Sequence, residues 1–174
     1  ACLIELYVNS INYYATELVF GMYSYYDNKT LCKLMEDEMK MLRKYDDAIR
    51  SGNEELKLDA SDRTPEYKEF FYSKLCDDAS KYECLSYQQK ISLFIEEGNR
   101  LLNNYSLNSI YFANLKNLAN NILPSLLDKQ IDMFKKRSDS TIIPVQIVML
   151  IWIVFSIIIF IIVFLYMFWS VSGL

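Results

Sequence analysis

The feature that most restricts the fold of this chain is a long apolar run near its C-terminal end. No charged residue occurs between positions 140 and 174, and residues 142–169 read IIPVQIVMLIWIVFSIIIFIIVFLYMFW. A helix of roughly 20 apolar residues crosses a hydrocarbon core of about 30 Å, so the run is long enough to span a membrane. It ends near Tyr166 and Trp169, residue types that are enriched at membrane interfaces. The sequence therefore predicts a transmembrane helix at residues 141–170, followed by a short flank at residues 171–174.

The residues before this run carry the whole net charge of −4 and have the size of one ordinary domain. An acidic domain lacks the basic face that nucleic acids require, so we expect no nucleic-acid partner. The chain has no histidine, which excludes Ser-His and Cys-His catalysis and His-ligated metals. Gly-rich phosphate loops and nucleophile elbows are also absent from the sequence. We expect no cofactor, no metal and no enzyme activity in this segment, although a catalytic module such as a nucleotide cyclase could lie outside it.

Apolar residues recur at helical spacing before the run, and no alternating pattern favours a sheet. The predicted helices cover residues 1–26, 30–50, 64–76 and 86–103, and a last helix begins near Ser106 or Ser109 and continues into the span. In the first helix, the predicted core stripe is Leu3, Tyr7, Ile11, Tyr14, Leu18, Met22 and Tyr25. In the second helix, it is Leu31, Met35, Met39, Leu42, Tyr45 and Ile49. The predicted fold is all-α, an antiparallel helical bundle at residues 1–140 followed by the transmembrane helix.

Local signals mark several helix ends. The Ser51-Gly52-Asn53 triplet is a C-terminal stop, and Thr64-Pro65 and Ser86 are helix starts. Pro124 lies inside the last predicted helix, where its missing N–H is expected to produce a kink.

Two of the four cysteines, Cys76 and Cys84, bracket a seven-residue loop that a disulfide could close. We predict this pairing, with Cys2 and Cys32 free or paired elsewhere. A bridge would indicate an oxidising compartment outside the cytosol. The alternative is four reduced cysteines in a cytosolic domain.

Two glycosylation sequons, at Asn28 and Asn104, fall at predicted helix ends, although such triplets also arise by chance in an Asn-rich chain. Glycosylated sequons would place the helical bundle outside the cytoplasm. The basic residues at positions 135–137 favour the opposite orientation, because the positive-inside tendency would place that flank in the cytoplasm. We expect the protein in the plasma membrane with residues 1–140 extracellular, and read the basic residues as a solvated helix end.

Acidic groups at residues 36–38, 46–47, 59 and 62, and 77–78 lack the spacing of a calcium loop and are interpreted as solvated faces.

The first helix is rich in tyrosine. Its rings could line a polar ligand pocket, but such residues more often pack their rings and place the hydroxyls at an edge.

Residues 41–56, MLRKYDDAIRSGNEEL, contain Leu-Arg, then an apolar residue, a Gly and a Leu. This pattern, together with the later Cys-loop-Cys and the long helix running into a span, resembles helical regions of multi-pass protist proteins of the tiny-macrocysts type. The resemblance implies a helical region between membrane spans, with a sensory or cyclase module able to follow. It assigns no functional residue to this chain.

The leading hypothesis is therefore the ectodomain of a membrane receptor, which relays binding of a ligand or partner through its last helix into the span. The expected partners are the lipid bilayer and either a second copy of the chain or neighbouring membrane helices. The alternative is a structural or adhesion module of a single-span protist surface protein without a signalling role. We also expect the chain to be a segment of a longer protein, with another membrane helix before Ala1.

Overall fold

The computed structural model describes residues 2–21, 25–56, 64–74, 82–106 and 108–173. These residues are helical almost throughout, and no β-strand occurs among them. The helices are α1 (Cys2–Phe20), α2 (Asn28–Ser51), α3 (Pro65–Tyr72), α4 (Tyr87–Asn103), α5 (Ile110–Asn117) and α6 (Leu123–Ser172). A 3₁₀ turn, Tyr82–Cys84, precedes α4, and a π-helical turn, Leu118–Ile122, joins α5 to α6. The all-α prediction is confirmed, whereas the antiparallel arrangement stays a prediction.

The chain divides into two compact units, Ala1–Ile131 and Asp132–Leu174, called here the helical domain and the C-terminal unit. The helical domain contains α1 to α5 and the first turns of α6, and the C-terminal unit contains the rest of α6. The boundary predicted at residue 140 separates the helical bundle from the membrane helix, whereas the boundary at residue 131 separates two compact units. The predicted boundary stays a prediction.

The first helix is shorter than predicted. It ends at Phe20, where Gly21 takes a left-handed φ of 62° and donates its N–H to the Glu17 carbonyl at 2.8 Å. A left-handed residue cannot continue the helix, and glycine takes that conformation without steric cost. Tyr25, which the prediction placed in the core, is 98% exposed.

The buried face of α1 is also displaced from the predicted stripe. Its buried apolar residues are Ile4, Val8, Ile11, Ala15 and Leu18. Three of them directly follow the predicted positions 3, 7 and 14, whereas Ile11 and Leu18 are buried as predicted. The core face is therefore rotated by less than the roughly 100° that separates one residue from the next. Leu3 is exposed and Tyr7 and Tyr14 are half-buried, because a tyrosine at the core edge keeps its hydroxyl near water.

The second helix has clear signals at both ends. The Asp27 carboxylate accepts a hydrogen bond from the Thr30 N–H at 2.7 Å, and this bond lowers the pKa of Asp27. Gly52, in a left-handed conformation with φ of 83°, ends the helix and bonds its N–H to the Ala48 carbonyl. The stop predicted at this glycine is confirmed.

The next two helices begin where predicted. Thr64 and Pro65 start α3, which ends at Tyr72 rather than near Cys76. Ser86 starts α4 with a reciprocal capping box, because its hydroxyl accepts from the Gln89 N–H and its own N–H donates to the Gln89 side chain.

The interruption expected at Pro124 takes the form of the π-helical turn just before it. The Leu123 N–H reaches back five residues to the Leu118 carbonyl. Pro124 has no N–H to donate to the carbonyl four residues earlier, so the regular ladder cannot pass through this point. The turn is also tied to α1, since the Asn12 side-chain amide donates to the Asn120 side-chain oxygen at 3.1 Å.

One part of the core of the helical domain forms where α2, α4 and α5 meet. The helices approach closely at Gly98 of α4, because a Cβ at this position would lie 2.5 Å from the Met39 sulfur and 3.3 Å from the Met35 methyl carbon. Leu115 of α5 lies on the same side, at 3.5 Å. The absence of a side chain at Gly98 therefore lets the two methionines of α2 pack directly on the α4 backbone.

In the C-terminal unit, α6 is long and apolar enough to cross a membrane. Its most apolar window has no buried residue, and every residue from 142 to 169 is exposed. Pro144 lies inside the helix near the start of this run.

Candidate functional site

The structure leaves the predicted disulfide untested. Cys84 ends the 3₁₀ turn and is 2% exposed, but Cys76 lies outside the described residues. Cys32 is a free, half-buried thiol whose pKa is raised by burial. The pairing of Cys76 with Cys84 therefore stays a prediction.

Both predicted glycosylation acceptors are exposed at helix ends. Asn28 is the first residue of α2, and Asn104 directly follows α4. In the second sequon, Tyr105 and Ser106 are exposed as well. A glycosyltransferase could reach both asparagines, but whether either carries a glycan stays a prediction.

The expectation that the acidic groups are solvated is wrong for Asp46. Glu36 is exposed and pairs with Lys40 at 2.8 Å, as expected of a surface residue. Asp46, in contrast, is 3% exposed, and Arg50 one turn later is 6% exposed. Residues 59, 62, 77 and 78 lie outside the described residues.

The burial of Asp46 and Arg50 follows from the periodicity of α2. Leu31, Met35, Met39 and Leu42 are buried as predicted, and steps of four from Leu42 lead to positions 46 and 50. The predicted positions Tyr45 and Ile49 are only half-buried, because they lie to one side of this line. The core face of α2 thus ends in an acid and a base spaced i, i+4.

Arg50 is held by three partners. Its Nε donates to Asp46 Oδ2 at 3.0 Å, its Nη2 bonds to Asp47 Oδ1, and its Nη1 donates to the Tyr72 hydroxyl at 3.4 Å. The guanidinium also lies 5.9 Å from the centre of the Tyr72 ring. Arg50 therefore links α2 to α3, and its charge is matched by one buried and one exposed carboxylate.

Tyr87 and Gln130 complete the cluster from α4 and α6. Tyr87 is 2% exposed and Gln130 is 1% exposed. The Tyr87 hydroxyl donates to Gln130 Oε1 at 3.4 Å, and it also interacts with the Asp46 carboxyl. These two residues, with Asp46 and Arg50, form what we call the buried polar cluster. Sequence analysis missed all four, although the extended spacing of the α2 stripe could have found the first two.

Aromatic residues of α3 pack against Tyr87 at one side of the cluster. The rings of Phe70 and Phe71 lie 5.3 and 5.2 Å from the Tyr87 ring, measured between centres. Lys129 places its ammonium group 5.7 Å from the Phe70 ring centre on the outside. The Tyr87 side of the cluster is therefore packed against ring surfaces of α3.

The electrostatics of the cluster reflect this burial. Burial raises the pKa of the Asp46 carboxyl, whereas the Arg50 guanidinium and the Tyr87 hydroxyl act in the opposite direction. Burial and the Asp46 charge raise the pKa of Tyr87 well above its usual value, so the phenol keeps its proton. Asp46 Oδ1 and Gln130 Nε2 have no hydrogen-bond partner within the described part of the chain, and such orphan groups are costly in an interior.

Among the described residues, no group of three or more Cys, Asp or Glu side chains could hold a metal ion. The tyrosine-rich side of α1 forms a packed edge, where the Tyr7 and Tyr45 rings stack at 5.5 Å. The described tyrosine contacts thus resemble ring packing more than a lined pocket.

Comparison of the chain with protein-family models, with curated proteins and with solved structures gave no match. The resemblance to proteins of the tiny-macrocysts type therefore stays a prediction.

Proposed function

We propose that the chain is part of a receptor-type membrane protein, in which a helical sensor domain outside the plasma membrane passes a change in packing through α6 into a membrane span. The observation that carries the proposal is the composition of α6. Its first turns place Leu123, Leu127 and Gln130 in the core of the helical domain, and the same helix continues to Ser172. A displacement of the core residues is thereby applied to the helix that contains the apolar run.

The exposure of the apolar run supports a membrane span. An apolar helix in the core of a soluble protein is mostly covered by other elements, whereas residues 142–169 are exposed throughout. Removal of apolar surface from water is favourable by about 25 cal/mol per Å². The exposed run therefore favours transfer into an apolar environment. A lipid bilayer satisfies this requirement along the full length of the run.

The segment that would carry the displacement has several residues that disfavour a helix. Ser138, Asp139, Ser140 and Thr141 are poor helix formers, and Pro144 cannot donate to the backbone. The Ser140 and Thr141 hydroxyls both donate to the Arg137 carbonyl, at 2.7 and 3.0 Å, and hydrogen bonds of this kind often bend a helix. The relay depends on these residues staying helical.

The orientation is tested with the two sequons. Expression of the chain in eukaryotic cells is expected to give a mass shift that an endoglycosidase removes. The shift should decrease with either Asn28→Gln or Asn104→Gln and vanish with both, because both acceptors are exposed. Asn121→Gln, at an exposed asparagine outside any sequon, should leave the shift unchanged. A chain without a shift, whose cysteines also resist labelling from outside, would place the helical domain in the cytoplasm.

The relay is tested by interrupting residues 138–141. A nucleotide-cyclase reporter is fused after residue 174, and Asp46→Asn is used to perturb the helical domain. We expect this substitution to change the cyclase rate about fivefold or more, the lower end of typical coupling between sites. Four glycines inserted after Asp139 should abolish the response, because glycine breaks the helix.

The matched control is four alanines inserted at the same point, which lengthen the chain equally but stay helical. In the four-alanine variant, the cyclase rate should still change in response to Asp46→Asn. A response that survives the glycine insertion, or that is absent without any insertion, would contradict the relay and favour a purely structural or adhesive role.

A further inference from the structure

The helical domain has a cavity of about 180 Å³ in the crevice between α2 and α4. None of the residues of the buried polar cluster lines it. The described residues that line it are Glu36, Met39, Lys40 and Arg43 of α2 and Ile95 and Asn99 of α4. The first four are spaced i, i+3, i+4 and i+7, and the last two i, i+4, so each set lies on one face of its helix. The described walls of the cavity are therefore two facing helices.

The floor of the cavity is apolar and belongs to the core. Met39 is 2% exposed and Ile95 is 4% exposed, so both side chains are part of the packed interior. Met39 is also one of the two methionines that pack on α4 at Gly98. A ligand in contact with Met39 therefore touches a residue at the close approach of α2 and α4.

The rim of the cavity carries an arginine without a counter-charge. Glu36 is bonded to Lys40 at 2.8 Å, and Lys40 also lies 3.9 Å from Asp37. Within the described part of the chain, the Arg43 guanidinium and the Asn99 side-chain amide have no ion-pair or hydrogen-bond partner. Two cations and one carboxylate line the cavity, so it is positively charged in a chain whose net charge is −4.

We propose that this cavity binds a small organic carboxylate that carries an apolar group. The Arg43 guanidinium pairs with the carboxylate, whose two oxygens match its planar fork, and the Asn99 amide supplies a further donor. The apolar group lies on Met39 and Ile95. An inorganic anion would leave this apolar floor in water, and a neutral hydrocarbon would leave the guanidinium without a partner.

The volume of the cavity limits the size of the ligand. Pockets for drug-sized molecules hold about 300 to 1,000 Å³, whereas an apolar cavity of about 150 Å³ accepts benzene. A cavity of about 180 Å³ thus suits a carboxylate with about four to six carbon atoms. The role of this ligand as the input of a receptor rests on the proposed function, whereas the binding itself is a property of the helical domain.

Methyl NMR of the full chain in detergent micelles tests the binding, with 3-methylbutanoate as the probe. The chain has seven methionines, whose ¹³C-labelled methyl groups give one signal each. We expect the Met39 signal, assigned with Met39→Leu, to shift until it saturates. The expected Kd is about 1 mM, as for a ligand of about seven non-hydrogen atoms. Met149 and Met167, in the apolar run, report any entry of the probe into the micelle.

Two related probes separate the charge of the ligand from its shape. The neutral 3-methylbutanamide keeps the shape and should bind about tenfold more weakly, because it cannot form a charge-assisted pair with Arg43. Acetate keeps the charge without the larger apolar group and should also bind about tenfold more weakly. Equal affinity for the carboxylate and the amide would overturn the proposal.

Two matched variants test the role of Arg43. Arg43→Met keeps an unbranched apolar side chain without the charge and should weaken binding of 3-methylbutanoate about tenfold. Lys44→Met removes the adjacent exposed cation, which lies 3.9 Å from Glu55 and does not line the cavity, and should change the affinity less than about twofold. Both positions are exposed, so both variants should fold.

Three results would overturn the proposal. They are an unchanged affinity in Arg43→Met, a Met39 signal that does not shift with the probe, and a Met39 shift that only parallels the shift of Met149. The assay needs no cyclase reporter. Failure of the binding would therefore leave the response to Asp46→Asn standing, and failure of that response would leave the binding standing.

Discussion

Replacement of Arg50 by methionine is expected to lower the free energy of unfolding by about 3 to 5 kcal/mol at neutral pH. The Arg50 side chain is 8% exposed and its partner Asp46 is 4% exposed, so removal of the guanidinium leaves a buried carboxylate without a counter-charge. Urea unfolding of the chain in mild detergent, followed by far-UV circular dichroism, measures the loss. The loss should shrink as the pH falls, because a protonated Asp46 no longer needs a partner.

Two further variants separate this effect from lost packing. In Arg50→Met combined with Asp46→Asn, both charges are removed, and stability should return to within about 1.5 kcal/mol of the parent chain. In Arg100→Met, an arginine of the exposed pair with Glu96 is lost, and the cost should stay below about 1 kcal/mol. Equal losses of unfolding free energy in the Arg50 and Arg100 single variants would show that the buried Asp46–Arg50 pair contributes no more to stability than the exposed pair.

Two aspartates in the apolar run are expected to release the chain from membranes. Val154→Asp and Ile158→Asp lie one turn apart near the middle of the run and together add about 7 kcal/mol to the cost of insertion. The unmodified chain should stay in the membrane pellet after carbonate extraction, whereas the double variant should move to the soluble or aggregated fraction.

A charge-matched control places the same two aspartates outside the apolar run. Ser138→Asp and Ser140→Asp add identical charge in the exposed flank of α6 and should leave the chain in the pellet. Extraction of the unmodified chain by carbonate would argue against a membrane span. Release of the flank variant would show that net charge, and not the apolarity of the run, decides retention.

The parts of the fold that could be predicted are those set by local chemistry. The stop at Gly52, the cap at Ser86 and the apolar run each depend on a few neighbouring residues. In the structure, Gly52 ends α2, Ser86 caps the start of α4, and the apolar run is an exposed helix, as the sequence indicates. The core face of α1 differs from the predicted stripe because that stripe includes tyrosines as core residues. Their rings can lie at an edge, and only the packing of α1 decides which side of the helix is buried.

The buried polar cluster could not be predicted in the same way. An Asp46-Asp47 pair has the composition of a solvated surface, and only the phase of α2 distinguishes the buried member from the exposed one. Tyr87 and Gln130 are 43 residues apart in sequence, so their contact depends on tertiary packing. No periodicity within a single helix indicates such a pair.

The π-helical turn at Leu118–Ile122 has a consequence for how this protein can change in length. Its wide i→i+5 bond encloses one residue more than an α-helical turn. A single-residue deletion within α2 or α4 would rotate all later side chains of that helix by about 100°. The same deletion at the exposed Asn120 or Asn121 could be absorbed by a return to α-helical bonding. The evolutionary history of the chain should therefore show insertions and deletions of one residue at this turn more readily than anywhere else in the helical core.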